Sequence, residues 1–133
     1  MKELSIDYSS QCQASDSSIK CIFDRDTLTI SGMGEMKNFS SESSPWFNER
    51  LAIKTIIIED NITTIGDYAF EGCNKLKNIT FGQNVTLIGN YAFQECSELN
   101  NVMIGKKVLL KSATLHLIHA INCKIFSLKK VFK

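Results

Sequence analysis

Few residues of this 133-residue chain have the types and spacing for chemistry, and the densest group comes late. His116-x-x-His119-x-x-x-Cys123 can be drawn as a metal site. On a helix the positions i, i+3 and i+7 share a face, and imidazole with thiolate suits zinc. No fourth ligand is evident, so no metal is expected. Five cysteines, Cys12, Cys21, Cys73, Cys96 and Cys123, are an odd number, and a disulfide framework is not the default reading at this length. Cys12 and Cys21 could pair in an oxidising compartment; Cys73 and Cys96 read as small buried thiols. No Ser-His-Asp, Cys-His or paired-carboxylate set is carried by a motif, and Glu59, Asp60 and Asp67 read as solvated loop charges. Gly32-Met33-Gly34 lacks the spacing of a nucleotide-binding loop. The expectation is a chain with no catalytic residues and no cofactor, which is not an enzyme.

Composition narrows the partners further. A net charge of +1 sets up no field for nucleic acid or an anionic membrane. No run of about 18 apolar residues is present to span a bilayer. Met1 to Tyr8 is too polar for a signal peptide, which predicts an intracellular chain or one whose export segment lies outside this sequence.

What positions the side chains is a repeat. Ile62–Asn84 is followed at once by Val85–Lys107, at a period of 23 residues. Identical pairs include Ile65/Ile88, Gly66/Gly89, Tyr68/Tyr91, Ala69/Ala92, Phe70/Phe93, Cys73/Cys96 and Leu76/Leu99, and Ile79/Val102 and Phe81/Ile104 exchange one apolar residue for another. Self-similarity at about 20–29 residues signals a leucine-rich-repeat solenoid. The predicted fold is α/β: a short right-handed leucine-rich-repeat solenoid with an N-terminal β-hairpin cap. Within a repeat, Leu76-x-x-Ile79-x-Phe81 reads as a strand and Ile62-x-x-Ile65 as a second extended piece. Asp67–Cys73 reads as a short helical or 3₁₀ turn. The predicted core is Ile65, Ala69, Phe70, Cys73, Leu76, Ile79 and Phe81, with Ile88, Ala92, Phe93, Cys96, Leu99, Val102 and Ile104 from the second copy. Tyr68 and Tyr91 are expected to be partly buried.

Residues 1–44 read as a polar lead-in and β cap. A short strand is expected at Leu4–Tyr8, and a hairpin from Ile19–Phe23 and Thr27–Ser31 about the Asp24-Arg25-Asp26 turn. Such a hairpin would cover the apolar interior at the open end of a repeat stack. Asn38–Ser44 reads as a loop. Ser44 is the candidate N-cap and Pro45 the first residue of a short helical turn to Leu51. Trp46 and Phe47, 23 residues before Ala69 and Phe70, read as the Ala-Phe pair of an incomplete first repeat. Repeat counting then starts near residue 45, and residues 45–107 form the repeat unit: a partial copy, then 62–84 and 85–107.

The pattern V-x-x-I-G-x-x-A-F-x-x-C-x-x-L-x-x-I-x-I resembles the 23-residue repeat of BspA-like leucine-rich-repeat surface proteins. Leu28–Met36 followed by Pro45-Trp46 resembles the N-terminal region of the same family. The resemblance implies a cell-surface or secreted adhesion module or surface antigen without catalytic machinery. It implies that the partner is a protein, of the extracellular matrix or a host surface; the chain itself is expected to be a monomer. Solenoids bind through extended faces. The candidate face is therefore the outward strand positions Lys54, Thr55, Ile57, Lys77, Asn78, Thr80, Asn100, Asn101 and Met103. With so few repeats it is expected to fall below the roughly 800 Å² per side of a standard interface.

Residues 108–133 break the pattern. Val108 fits, but Lys111, Ser112, Leu115, His116 and His119 fall at the phases of Ile, Gly, Ala, Phe and Cys, where unpaired polar groups are costly to bury. Allowed codons for Leu115–Cys123, read one frame over, spell Ala-Phe-Asn-Ser-Cys-Asn-Lys-Leu, the repeat motif in phase. The hypothesis is a frameshifted repeat, with patches of helical spacing over Leu109–Ile125. The alternative function is then a truncated or decaying fragment with no selected activity. Coding DNA that cannot yield Ala-Phe-x-x-Cys in the shifted frame would refute it.

Overall fold

A computed structural model describes residues 6–7, 19–104, 108–110 and 124–127. Eleven strands are assigned among them: β1 Ile6–Asp7, β2 Ile19–Asp24, β3 Thr27–Gly32, β4 Gly34–Glu35, β5 Thr55–Ile58, β6 Ile62–Ile65, β7 Asn78–Thr80, β8 Leu87–Ile88, β9 Asn101–Ile104, β10 Leu109–Leu110 and β11 Lys124–Ser127. The one helical element among the described residues is a 3₁₀ turn, Phe47–Ala52. The chain is thus of mixed class, with many short strands and little helix.

Two sheets hold it together. One has the order β1-β2-β3-β5-β7-β9-β11, the other β10-β8-β6-β4. From β3 onward every pairing in the first sheet is parallel, in the registers Thr55↔Asn78↔Asn101 and Ile56↔Ile79↔Val102. The register follows the sequence period because a slip of one residue would turn each buried Ile outward. At the start, β2 and β3 form an antiparallel hairpin whose turn places Arg25 at φ 63°. Alternation explains its faces: Cys21, Phe23, Leu28 and Ile30 are buried, while Lys20 and Ile22 are exposed. Cys21 is disulfide-bonded, and its partner lies outside the described residues.

The core lies between the sheets. Ile56, Ile58, Ile65, Phe70, Cys73, Leu76, Ile79, Ile88, Phe93, Cys96 and Val102 are each at most 1% exposed. Ile104's side chain lies outside the described set. Trp46, Phe70 and Phe93 stack in one column, with centroids 5.6 and 5.9 Å apart and planes within 24°. Neighbouring rings offset in this way gain about 0.5–1.5 kcal/mol beyond their buried area. The Cys96 thiol donates to the Phe70 carbonyl at 3.2 Å. Burial, then the neighbouring Cys73, pushes the Cys96 pKa well above its ordinary value.

The segment Asp67–Cys73 corrects the helical expectation. Its N–H groups alternate in direction. Ala69, Glu71 and Cys73 bond three residues back, whereas Tyr68, Phe70 and Gly72 donate to Asn90, Ala92 and Gln94 of the next repeat at 2.7–3.1 Å. Left-handed φ values at Tyr68 (58°) and Gly72 (81°) turn the backbone for this, and Tyr91 (59°) and Glu95 (64°) repeat them. A non-glycine residue there costs about 1–2 kcal/mol. The hydrogen bonds between repeats and the Tyr68–Tyr91 stack, 5.0 Å between centroids, offset that cost.

The first repeat also differs from its sequence reading. Its second-sheet strand is β4, paired with β6, so the stack begins well before residue 45. Asn38 Oδ1 accepts from the Asp67 N–H across 29 residues, as Asp67 Oδ1 accepts from the Asn90 N–H across 23. The excess length lies in the Ser40–Pro45 loop. Ser44 is not an N-cap: Trp46 holds that position without a side-chain bond, and Ser44 Oγ is buried with no partner. Pro45 accordingly precedes the helical turn. Trp46 alone fills the Phe column, its Nε1 donating to the Ala69 carbonyl at 2.7 Å. Phe47 lies outside that column, half-buried, with the Arg50 guanidinium 4.0 Å from its ring centre.

In the tail, Leu110 rather than Lys111 partners Ile88, one residue short of the 23-residue offset. Lys124–Ser127 pairs with Asn101–Ile104 at the full offset. Leu109–Leu110 and Lys124–Ile125 are therefore strands where helical spacing was read. Residues 111–123, with His116, His119 and Cys123, lie outside the described residues.

Candidate functional site

Pleating decides which strand residues are available. In β5 the order is half-buried Thr55, buried Ile56, exposed Ile57, buried Ile58; β7 repeats it with Asn78, Ile79 and Thr80. Parallel register then lines the outward positions into two rows, Thr55–Asn78–Asn101 and Ile57–Thr80–Met103. The side chains of Asn101 and Met103 lie outside the described set.

Beside the first row, Lys54, Lys77 and Asn100 are exposed and follow one another through backbone bonds: Lys77 N–H to the Lys54 carbonyl at 3.0 Å, Asn100 N–H to the Lys77 carbonyl at 3.2 Å. Lys77 Nζ lies 3.3 Å from Glu98 Oε1, both side chains about half exposed. Such a pair contributes about 0–1 kcal/mol to stability, so both charges remain available to a partner.

The hairpin widens this face. Thr29 partners Ile57, and Ile22 partners Thr29, which continues the outer row onto β2 and β3. Ile22, Ile57 and Met33 are large apolar side chains left 40%, 37% and 59% exposed. At the C-terminal ends of β3, β5 and β7 lies a concavity of about 780 Å³, lined by Lys20, Met33, Ile57, Glu59, Asp60 and Thr80 among others. Counting only repeat strands missed this half of the face. The alternation in Ile19–Phe23 is the signal that places Ile22 outward.

On another face, Tyr68 and Tyr91 stack, Tyr91 being 41% exposed. Glu71, 9% exposed, accepts from the Ser41 hydroxyl and, at 2.8 Å, from the Glu42 N–H. That carboxylate fastens the Ser40–Pro45 loop. No cluster of three or more His, Cys, Asp or Glu suited to a metal occurs among the described residues. No described helix is long and apolar enough to cross a membrane.

Parallel strands repeating every 23 residues, with an aromatic column behind them and a hydrogen-bonded turn ladder closing each repeat, define a leucine-rich-repeat protein. The chain belongs to the BspA-type leucine-rich repeat region family, whose sequence model matches residues 38–128 in six copies. It is similar to a solved leucine-rich repeat protein from Eubacterium ventriosum, with a TM-score of 0.62 and 22% identity over 80% of this chain and 40% of that one. A leucine rich cell surface protein from Faecalibacterium prausnitzii matches with a TM-score of 0.44 and 25% identity over 67% of this chain and 31% of the other. The chain thus spans well under half the length of either. No curated protein sequence matches it.

Proposed function

We propose that this chain is a protein-interaction and adhesion module. It is a short right-handed solenoid, monomeric, whose repeats stack behind the β2–β3 hairpin as a cap, with residues 108–133 forming a degenerate last repeat. It binds a protein of the extracellular matrix or of a host surface through Lys54, Thr55, Ile57, Lys77, Asn78, Thr80, Asn100, Asn101 and Met103, and through Ile22 and Thr29 of the hairpin. The observation that supports this reading is the pair of outward rows on the longer sheet, with exposed Ile57 and Thr80 uncovered by any other described element. Families of this repeat type are typically non-enzymatic and surface-exposed or secreted. Export agrees with the disulfide at Cys21, since such bonds persist in oxidising compartments.

The test is binding of the full chain to a panel of immobilised extracellular-matrix proteins, alongside the double variant K54E/K77E. Binding by the parent and its loss in the variant, at an unchanged melting temperature, is the expected result. No binding by the parent, or equal binding by both, overturns the proposal.

A further inference from the structure

The chain carries four Asn-x-Ser/Thr triplets: Asn38-Phe39-Ser40, Asn61-Ile62-Thr63, Asn78-Ile79-Thr80 and Asn84-Val85-Thr86. In a secreted protein such a triplet is an acceptor for N-linked sugar when it lies in an exposed loop. The fold does not treat the four alike. Asn78 is half-buried at the start of β7, paired with Thr55 of β5 on one side and Asn101 of β9 on the other. Asn84 donates its side-chain nitrogen, the atom that would carry the sugar, to the Asp60 carbonyl at 2.7 Å, a bond between successive repeats. Asn38 is anchored through Oδ1 to the Asp67 N–H at 2.8 Å, and the next residue, Phe39, packs edge-on against Trp46. Asn61 differs from all three. It is exposed in the two-residue turn before β6, and among the described residues nothing bonds its side-chain amide. Only its main-chain carbonyl is used, accepting from the Gly34 N–H at 2.9 Å.

We propose that Asn61 is an N-glycosylation acceptor, and that the fold reserves this one triplet of the four for it. The donor class is an oligosaccharide linked through its reducing end to a polyprenyl diphosphate. Asn61 Nδ2 forms a bond to the anomeric carbon of that sugar. The bond from the anomeric carbon to the diphosphate oxygen breaks, the polyprenyl diphosphate leaves with the electron pair, and one amide proton passes to a base. The remaining N–H and the carbonyl oxygen stay on the side chain, so no contact of the folded state is lost. Asn84 would have to give up one of the two N–H groups from which its bond to Asp60 is made. Asn61 and Asn84 lie at the same phase of adjacent repeats, and neighbouring strands are only about 4.8 Å apart, which leaves room for one branched glycan at this corner. The sugar would stand at the end of the concavity that Asn61 helps to line, clear of Thr55 and Asn78. The inference goes beyond the binding reading and does not depend on the partner.

The test directs the full chain into the secretory lumen of a eukaryotic cell with a cleavable leader. Intact mass is compared for the parent, N61Q, N84Q and the double variant N38Q/N78Q. Peptide N-glycosidase then leaves Asp at each occupied Asn, and peptide mass spectrometry locates it. Loss of the Cys21 thiol, read by alkylation of the unfolded chain, establishes passage through the lumen. The expected result is one glycan on the parent, retained in N84Q and N38Q/N78Q and absent from N61Q. A lumenal parent without a glycan, or an N61Q chain with as much as the parent, overturns the proposal. Matrix binding by N61Q is measured separately, so failure of one reading is distinct from failure of the other.

Discussion

The first repeat and the two that follow build the same wall from different lengths of chain. In the later repeats a 23-residue interval brings Asp67 to Asn90, and Phe70 stacks on Phe93. In the first, the corresponding bond from the Asp67 N–H to Asn38 Oδ1 spans 29 residues, and Trp46 supplies the column's first ring after a loop that Asp67–Cys73 and Asn90–Cys96 do not repeat. What is held constant is the spatial position of a carboxyl or amide oxygen and of an aromatic ring. The spacing along the chain is free to change where an inserted loop can be fastened. Glu71 does the fastening, by accepting from Ser41 and Glu42.

Truncation of the column is the strongest way to test that equivalence. Phe93→Ala and Phe70→Ala should each cost about 3–5 kcal/mol, measured by urea denaturation. Trp46→Ala should cost a similar amount if the first repeat is energetically a full member of the stack. A cost below about 1 kcal/mol would mean that it is not.

Gly66 is where the two regions press together. A Cβ there would strike the Lys37 carbonyl, and at Gly89 it would strike the Asp67 backbone nitrogen at 2.7 Å. Gly66→Ala should therefore destabilise by about 1–3 kcal/mol. Equal losses at the two sites would show that first and later repeats are equally closely spaced.

Removing the fastening is a smaller perturbation. Glu71→Ala should cost about 1–3 kcal/mol and raise amide hydrogen exchange in the loop around Ser41 and Glu42, while the Phe70–Phe93 end stays protected. Uniform exchange across both regions would dissolve the distinction between them.

The mildest effect is one of pH. The Cys96 pKa is raised in the folded state by burial and then by Cys73. The folded chain therefore holds this proton more tightly than the unfolded one. That contribution is fully present below the unfolded thiol's usual pKa of about 8.5 and is lost as pH rises above it. A melting temperature that falls on the alkaline side, and falls less in Cys96→Ala, is the expected outcome. The slope should be the same in Glu71→Ala, since the thiol lies in the later repeats.

The exchange of like residues at a fixed interval made the repeat legible without coordinates. Ile65, Phe70, Cys73, Leu76 and Ile79 recur because each needs the same burial in every copy, and burial is written in residue type. The hairpin was legible for a similar reason, as two alternating runs about an Asp-Arg-Asp turn. The start of the first repeat was not, because the 29-residue span from Asn38 to Asp67 hides it from any search at 23. The conformation of Asp67–Cys73 was not legible either. Ala69, Phe70 and Cys73 are buried as a helical face would require, yet the segment is set by left-handed φ values at Tyr68 and Gly72, and these depend on carbonyls of the following repeat. The candidate face was half legible: alternation marks outward residues on each strand, but only pairing shows that Ile22 and Thr29 join the row of Ile57.

The sequence by itself determined the period, the buried set and the hairpin, because hydrophobic burial and turn chemistry act on residues one at a time. The tertiary structure decided where the stack begins, which ring enters the column and which of four similar asparagines is left unengaged. Those outcomes turn on hydrogen bonds and contacts between residues some twenty to thirty positions apart, which no local pattern encodes.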